Sequence, residues 1–199
     1  METVLIIDGE NFKKKIQAVF FEQAKKRPIW HEYNFKGLLD KVLQGIEVNR
    51  RIFYFAKIKE DPQTKEKSKQ LILEQRLLKT HLENHTFEVI LSGRVRGQME
   101  GSNSSKRVLV FKEKGVDVRI AVDMVSWACD KKVKEIILGS SDSDLQPAIS
   151  EVSKRGIGCK YLGFESWPNK GLSYTTKGTI LIRNSEVIEF EKVAPKLVL

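Results

Sequence analysis

Four aspartates, Asp8, Asp117, Asp142 and Asp144, carry the chemistry that can be read from this sequence. Asp8 closes a short apolar run, Val4-Leu5-Ile6-Ile7, and Asp142 and Asp144 follow another, Ile136-Ile137-Leu138. Such runs fit strands buried on both faces, as the central strands of a parallel sheet are. Open parallel sheets bind ligands beyond the carboxyl ends of their strands, so these three carboxylates are expected along one edge. Asp117 joins them by helix phase. At about 100° per residue, a helix over residues 118–129 gathers Ile120, Ala121, Met124, Trp127 and Ala128 into one stripe. Asp117 projects near the middle of that stripe at its amino end, and Asp123 falls at its margin. A carboxylate aimed inward costs free energy unless it is paired, hydrogen-bonded or bound to metal.

Gathered carboxylates repel one another and raise some of their pKa values. A hard divalent cation relieves that repulsion, and ligands made only of oxygen suit Mg²⁺ or Mn²⁺. Asp8, Asp117, Asp142 and Asp144 are therefore the candidate catalytic residues and metal ligands. An ion held there lowers the pKa of a bound water and stabilises charge developing on a phosphate. No cysteine or histidine accompanies the acids, which argues against zinc. Plainer roles stand beside this one. Asp142 or Asp144 can cap a helix beginning near Pro147, Asp117 can cap its own helix, and Asp8-Gly9 can be a strand-end turn. What favours the metal site is the convergence of all four on one edge.

The elements that must position these residues alternate. Strands are predicted at residues 4–7, 51–56, 87–91, 107–111, 135–139 and 159–163, and helices at 12–26, 35–43, from Pro62 to 82, 118–129, and from Pro147 to Gly156. Strand–helix alternation implies an α/β fold with a mainly parallel sheet covered by helices on both faces. Two features fall outside the alternation. The Gly-, Ser- and Arg-rich stretch from Arg94 to Arg107 reads as the long tip of a β-hairpin inserted near residues 87–112, and residues 179–182 and 187–190 read as a terminal hairpin. With no internal repeat or low-complexity linker, residues 1–199 are read as one domain with its core at about 4–182.

The formal charge of +9 is unevenly spread. Residues 1–115 hold 23 of the 35 basic residues and 15 of the 26 acidic ones, so almost all the excess lies there. Clusters such as Lys13-Lys14-Lys15 and Lys25-Lys26-Arg27 suit a phosphate backbone; singly, each also suits a solvated helix face. No apolar run is long enough to span a bilayer, and the amino end lacks a basic segment with a cleavage site, so a cytoplasmic location is expected. Cys129 and Cys159 are expected as two reduced, buried thiols. His81 and His85 lie four apart without a third ligand and are expected as a surface pair. Gly156-x-Gly158 lacks the third glycine of a dinucleotide fingerprint. Trp30 and Trp167 sit in irregular sequence, suited to rim packing or to stacking on bases.

Three blocks in this order resemble a known family. Ile6-Ile7-Asp8-Gly9-Glu10-Asn11 is similar to the opening D-x-x-N motif of NYN domains, the LabA-like branch of the PIN-like nucleases. Lys114-Gly115-Val116-Asp117-Val118, followed by Asp123, resembles their K-G-V-D-V…D motif, and Ser140-Ser141-Asp142-Ser143-Asp144-Leu145 their S-G-D-x-D-F motif. The resemblance implies a PIN-like, Rossmannoid sheet, a divalent-metal acidic centre and, as in several members, endoribonuclease activity. It maps Asp8, Asp117, Asp142 and Asp144 to the acidic core, Asn11 and Asp123 to supporting positions, and Ser140 to the residue that positions the acidic loop. Ser141 stands where glycine is usual and Leu145 where phenylalanine is usual. The expected function is hydrolysis of RNA phosphodiester bonds, with Lys13, Lys14, Arg94, Arg96, Lys106, Arg107 and Lys114 holding the RNA backbone; a homodimer is compatible with it. The rivals are a non-catalytic RNA-binding or scaffold module that retains the acidic pocket, and a phosphatase or DNA nuclease with a similar edge.

Overall fold

The apolar runs become the middle of a sheet because each of their residues finds a buried neighbour on one face or the other. The computed structural model describes residues 1–60, 64–100 and 108–192, with the backbone alone at 96–100, 108–110 and 112. Among the described residues the strands are β1 (Glu2–Asp8), β2 (Arg50–Lys57), β3 (Glu88–Glu100), β4 (Val108–Lys114), β5 (Val133–Gly139), β6 (Gly158–Phe164) and β7 (Gly178–Ile182). The helices are α1 (Gly9–Ala24), α2 (Phe35–Val42), α3 (Lys65–Asn84), α4 (Val116–Cys129), α5 (Gln146–Lys154), α6 (Lys170–Thr175) and α7 (Asn184–Glu189).

All seven strands form one sheet in the order β4-β3-β2-β1-β5-β6-β7. Every neighbouring pair is parallel except β3 and β4. Side chains that alternate along the strands feed two cores. Leu5, Ile7, Phe53 and Phe55 pack against α1, α2, α3 and α7. Val4, Ile6, Ile52 and Tyr54 pack against α4, α5 and α6. The chain thus winds both ways from β1, and the strand order reverses between β1 and β5, where open α/β sheets form their binding crevice.

Two sequence expectations need correction. Residues 179–190 do not form a hairpin: β7 runs parallel to β6, reached through α6, and residues 184–189 are helix α7. The polar stretch 183–186 begins that helix instead, and its first amides find carboxylate acceptors within the stretch and outside it. Glu186 accepts from the Arg183 amide at 2.9 Å and Glu165 from the Asn184 amide at 2.6 Å. Val187 is then buried in the α1-side core, and its carbonyl accepts from the Tyr33 hydroxyl at 2.9 Å.

The expected hairpin near 87–112 is present as β3 and β4, but its tip does not begin at Arg94. β3 pairs with β2 as far as Arg94 and from there with β4, so one strand serves both the parallel sheet and the hairpin. Strand pairing carries the hairpin to Glu100 and Val108, beyond the point where the tip was expected to begin. Gly93 marks the change of partner. Its φ is +71°, and a Cβ there would lie 2.2 Å from the Lys114 carbonyl oxygen.

Of the two thiols, Cys159 is buried but Cys129 is exposed at the end of α4, where its sulfur accepts from Arg155 Nε at 3.1 Å. His81 and His85 are half-buried rather than superficial, with His81 Nε2 bonded to the Tyr33 carbonyl at 2.8 Å. Among the described residues no helix is long and apolar enough to cross a membrane.

Candidate metal centre

β1 carries Asp8 to the carboxyl edge at the reversal point, where it caps α1 by accepting the Asn11 amide at 3.1 Å. The following Gly9 lets the helix begin against β2, because a Cβ there would meet the Phe55 ring at 2.1 Å. Asp8 is only 8% exposed. Burial lifts its pKa; the Asn11 amide opposes that, the nearby Asp142 and Glu10 add to it, Lys14 opposes it again, and the carboxyl settles at about 6.

This pKa has a consequence for stability. The folded value lies above the ordinary 3.8, so between the two the native state holds a proton that the unfolded chain has released. Stability contributed by this group therefore falls as pH rises from about 4 to about 6 and stays low above that. Asparagine keeps the cap without the buried charge. In EDTA at pH 7.5, Asp8→Asn is expected to be more stable than wild type by about 1–3 kcal/mol, the difference vanishing by pH 4. Urea denaturation at the two pH values checks this, and a variant no more stable at pH 7.5 refutes it.

The acidic loop follows β5. Ser140 is buried, and its hydroxyl accepts the Asp142 amide at 3.2 Å. The Asp142 carboxylate in turn accepts the Asp144 amide at 2.9 Å, opening a 3₁₀ turn over Ser143–Leu145 that runs into α5. Ser141 donates its amide (3.1 Å) and its hydroxyl (2.9 Å) to Asn11 Oδ1, tying the loop to α1. From the other side Asn169, the cap of α6, donates to the Ser141 carbonyl at 2.9 Å. On the third element, Gly115 adopts φ +86° between β4 and α4, which turns Asp117 into the first turn of α4. Carboxylate oxygens of Asp117, Asp142 and Asp144 come within 4.8 Å of one another. Asp8 stands outside that trio and feels it through the charge of Asp142.

Helix phase misjudged the two acids of α4. Asp123, expected at the margin, is 8% exposed, whereas Asp117 is only half-buried. The first turn of α4 follows directly on β4 at the sheet edge, so a residue on the core stripe there meets the crevice instead of the core. Asp123 lies about one and two-thirds turns further in. It accepts from the Tyr54 hydroxyl and from Arg119 Nε, both at 2.9 Å, so its charge is balanced within the protein.

The basic residues divide. Lys14, Arg94 and Lys114 are exposed, the last two being paired across the root of the hairpin. Lys13 is largely buried and bonded to Glu10 at 2.5 Å. Arg96 is described by its backbone only, and Lys106 and Arg107 lie outside the described residues.

Sequence reasoning passed over Glu113 and Asn169. Glu113 accepts the Ala56 amide at 2.9 Å; burial, then the charges of Glu10 and Asp8, outweigh that bond and Lys13 to lift its pKa to about 7. Its only sequence signal was an acid set between lysines in a strand. Asn169 was legible as a helix cap, directly after Pro168.

A family model for the NYN domain matches residues 2–177. The chain belongs to the NYN domain family. Its fold is therefore that of the PIN-like nuclease superfamily, and the three motif blocks of this NYN domain are the segments that meet where the strand order reverses. No curated protein matches the chain. Among solved structures, a protein of unknown function from Vibrio parahaemolyticus aligns over 91% of this chain and 93% of its own, with a TM-score of 0.55 and 18% identity. That likeness is one of fold. The two departures from the NYN motif have physical readings. Ser141 keeps φ out of the left-handed region, so glycine is not required there, and its hydroxyl adds the bond to Asn11. Leu145 is buried in the α4–α5 core, an apolar role it fills as phenylalanine would.

Proposed function

We propose that this NYN domain is a divalent-metal-dependent endoribonuclease. The observation that carries the reading is the trio of Asp117, Asp142 and Asp144, brought by two separate segments to within 4.8 Å at the crevice. The donors are all carboxylate oxygens, which fits Mg²⁺ or Mn²⁺. Asp117, Asp142 and Asp144 would hold the ion, with Asp8 beside them. When bound, it supplies neutralisation of phosphate charge and a more acidic water.

The remaining work falls to the chain. Asn11 and Ser140 fix the acidic loop through the bonds they accept from Ser141 and Asp142. Without an ion, burial holds the Asp8 carboxyl at about 6; a divalent cation beside it would lower that value and keep Asp8 ionised. Lys14, Arg94 and Lys114 face solvent around the site and meet the strand's phosphates, so affinity should fall as salt rises. The test is incubation of the purified protein with single-stranded RNA, DNA of the same sequence and a phosphomonoester, with Mn²⁺, Mg²⁺ or EDTA. Cleavage of RNA alone, lost in EDTA, is the expected result. Salt-sensitive RNA binding without cleavage would overturn it in favour of a non-catalytic RNA-binding module.

A further inference from the structure

A groove of about 870 Å³ runs beside the acidic edge, between α1, α3 and the root of the β3–β4 hairpin. That volume lies in the range of small-molecule and nucleotide sites. Trp30, Phe55, Phe111 and Leu71 give it apolar walls, and Lys13, Glu10 and Glu113 give it charge. Lys13 Nζ lies 5.2 Å from the centroid of Trp30 and 5.8 Å from that of Phe55, while Lys67 Nζ lies 5.2 Å from that of Phe111. These lysines lie over the ring faces, so a base that stacks on Trp30 or Phe111 takes a lysine's place there, and the displaced ammonium suits the phosphate beside that base. One oxygen of Glu113 accepts the Ala56 amide, and the other makes no hydrogen bond among the described residues. An acceptor left over in a groove suits the exocyclic amine of a base. The groove adjoins the acidic site: Glu10, which lines it, lies two residues after Asp8, and Glu113 feels the charge of Asp8.

We propose that this groove holds an unpaired nucleobase of the RNA strand, its face against Trp30 and Phe111 and its exocyclic amine at Glu113. The inference rests on the ribonuclease reading and adds a base preference to it: adenine or cytosine over uracil. Lipid or another wholly apolar ligand fits less well, because it would leave Glu10, Lys13 and Glu113 facing hydrocarbon.

Binding of AMP, CMP and UMP in EDTA at about pH 8.5, where the Glu113 carboxyl is ionised and only accepts, followed by calorimetry, separates this claim from catalysis. AMP and CMP are expected to bind roughly tenfold tighter than UMP, a discrimination of the size one polar base contact gives. Trp30→Ala should weaken AMP binding by roughly tenfold, the size expected for loss of a stacking partner. Leu71→Trp, which fills the groove, should abolish it. Glu113→Gln should erase the preference over UMP while stacking persists. Circular dichroism and the urea midpoint report that each variant is folded, whether or not Mn²⁺ binds at the aspartates. If Leu71→Trp binds AMP as wild type does, or wild type binds none of the three nucleotides, the groove assignment falls even where RNA is cleaved. If AMP binding is lost in Leu71→Trp while wild type cuts no RNA, the base site stands and the ribonuclease reading falls.

Discussion

Asp142→Asn is expected to lower metal-dependent RNA cleavage by more than about a hundredfold, beyond the 10- to 100-fold typical of losing a partner that merely supports a metal ligand. Asp142 has two jobs, and this substitution separates them. As a member of the trio it brings negative charge within 4.8 Å of Asp117 and Asp144. As an acceptor for the Asp144 amide at 2.9 Å it opens the turn into α5. Asparagine keeps an oxygen for the second job and gives up the charge needed for the first. The variant should therefore fold, and in EDTA it should be no less stable than wild type, because Asp142 is one of the charges that push the Asp8 carboxyl upward. Mn²⁺ affinity by calorimetry should drop together with kcat/KM. Full activity with unchanged Mn²⁺ affinity would remove the trio from the reaction.

The parts of the site legible from sequence were those carried by local pattern. Asp8 and the Asp142–Asp144 loop follow runs apolar enough to be central strands, and a parallel sheet brings its strand ends to one side whatever their separation along the chain. The exchanged burial of Asp117 and Asp123 was not legible, because helix phase describes direction around an axis and says nothing about where the helix overhangs its sheet. Glu113 was hidden for a related reason. Its environment is made by Ala56 from β2 and by Asp8 and Glu10 from the first strand and helix, none of them near it in sequence. At the carboxyl end, the stretch Arg183-Asn184-Ser185-Glu186 fits a turn and a helix start equally well by composition. The acceptor that decides it, Glu165, lies 19 residues from the Asn184 amide it binds. The exposed Cys129 belongs to the same class, since the apolar residues before it do not reveal that α4 has already left the sheet.

The largest loss of stability from a single truncation is expected at Phe53. It lies on β2 with none of its surface exposed, and it joins elements from three parts of the chain. Its ring meets Phe12 of α1 edge-on at 6.3 Å, Phe35 of α2 at 5.4 Å and Phe87 before β3 at 5.2 Å, and it stacks on Phe55 at 5.9 Å. Phe53→Ala removes the ring common to all four contacts and leaves a cavity that side chains anchored on separate helices cannot close. The cost is expected to be about 3–5 kcal/mol, a large part of the stability of a chain this size. Leu73 provides the contrast: it is 58% exposed on α3, and its truncation to alanine should change stability by less than about 0.5 kcal/mol. Urea denaturation of the two variants measures the difference. The loss should also reach the acidic site, because Phe53 stacks on Phe55, the ring against which Gly9 starts α1. Weaker Mn²⁺ binding by folded Phe53→Ala would show that this core sets the position of Asp8, whereas unchanged binding would show that β1 and the Asn11–Ser141 bonds hold the site without it.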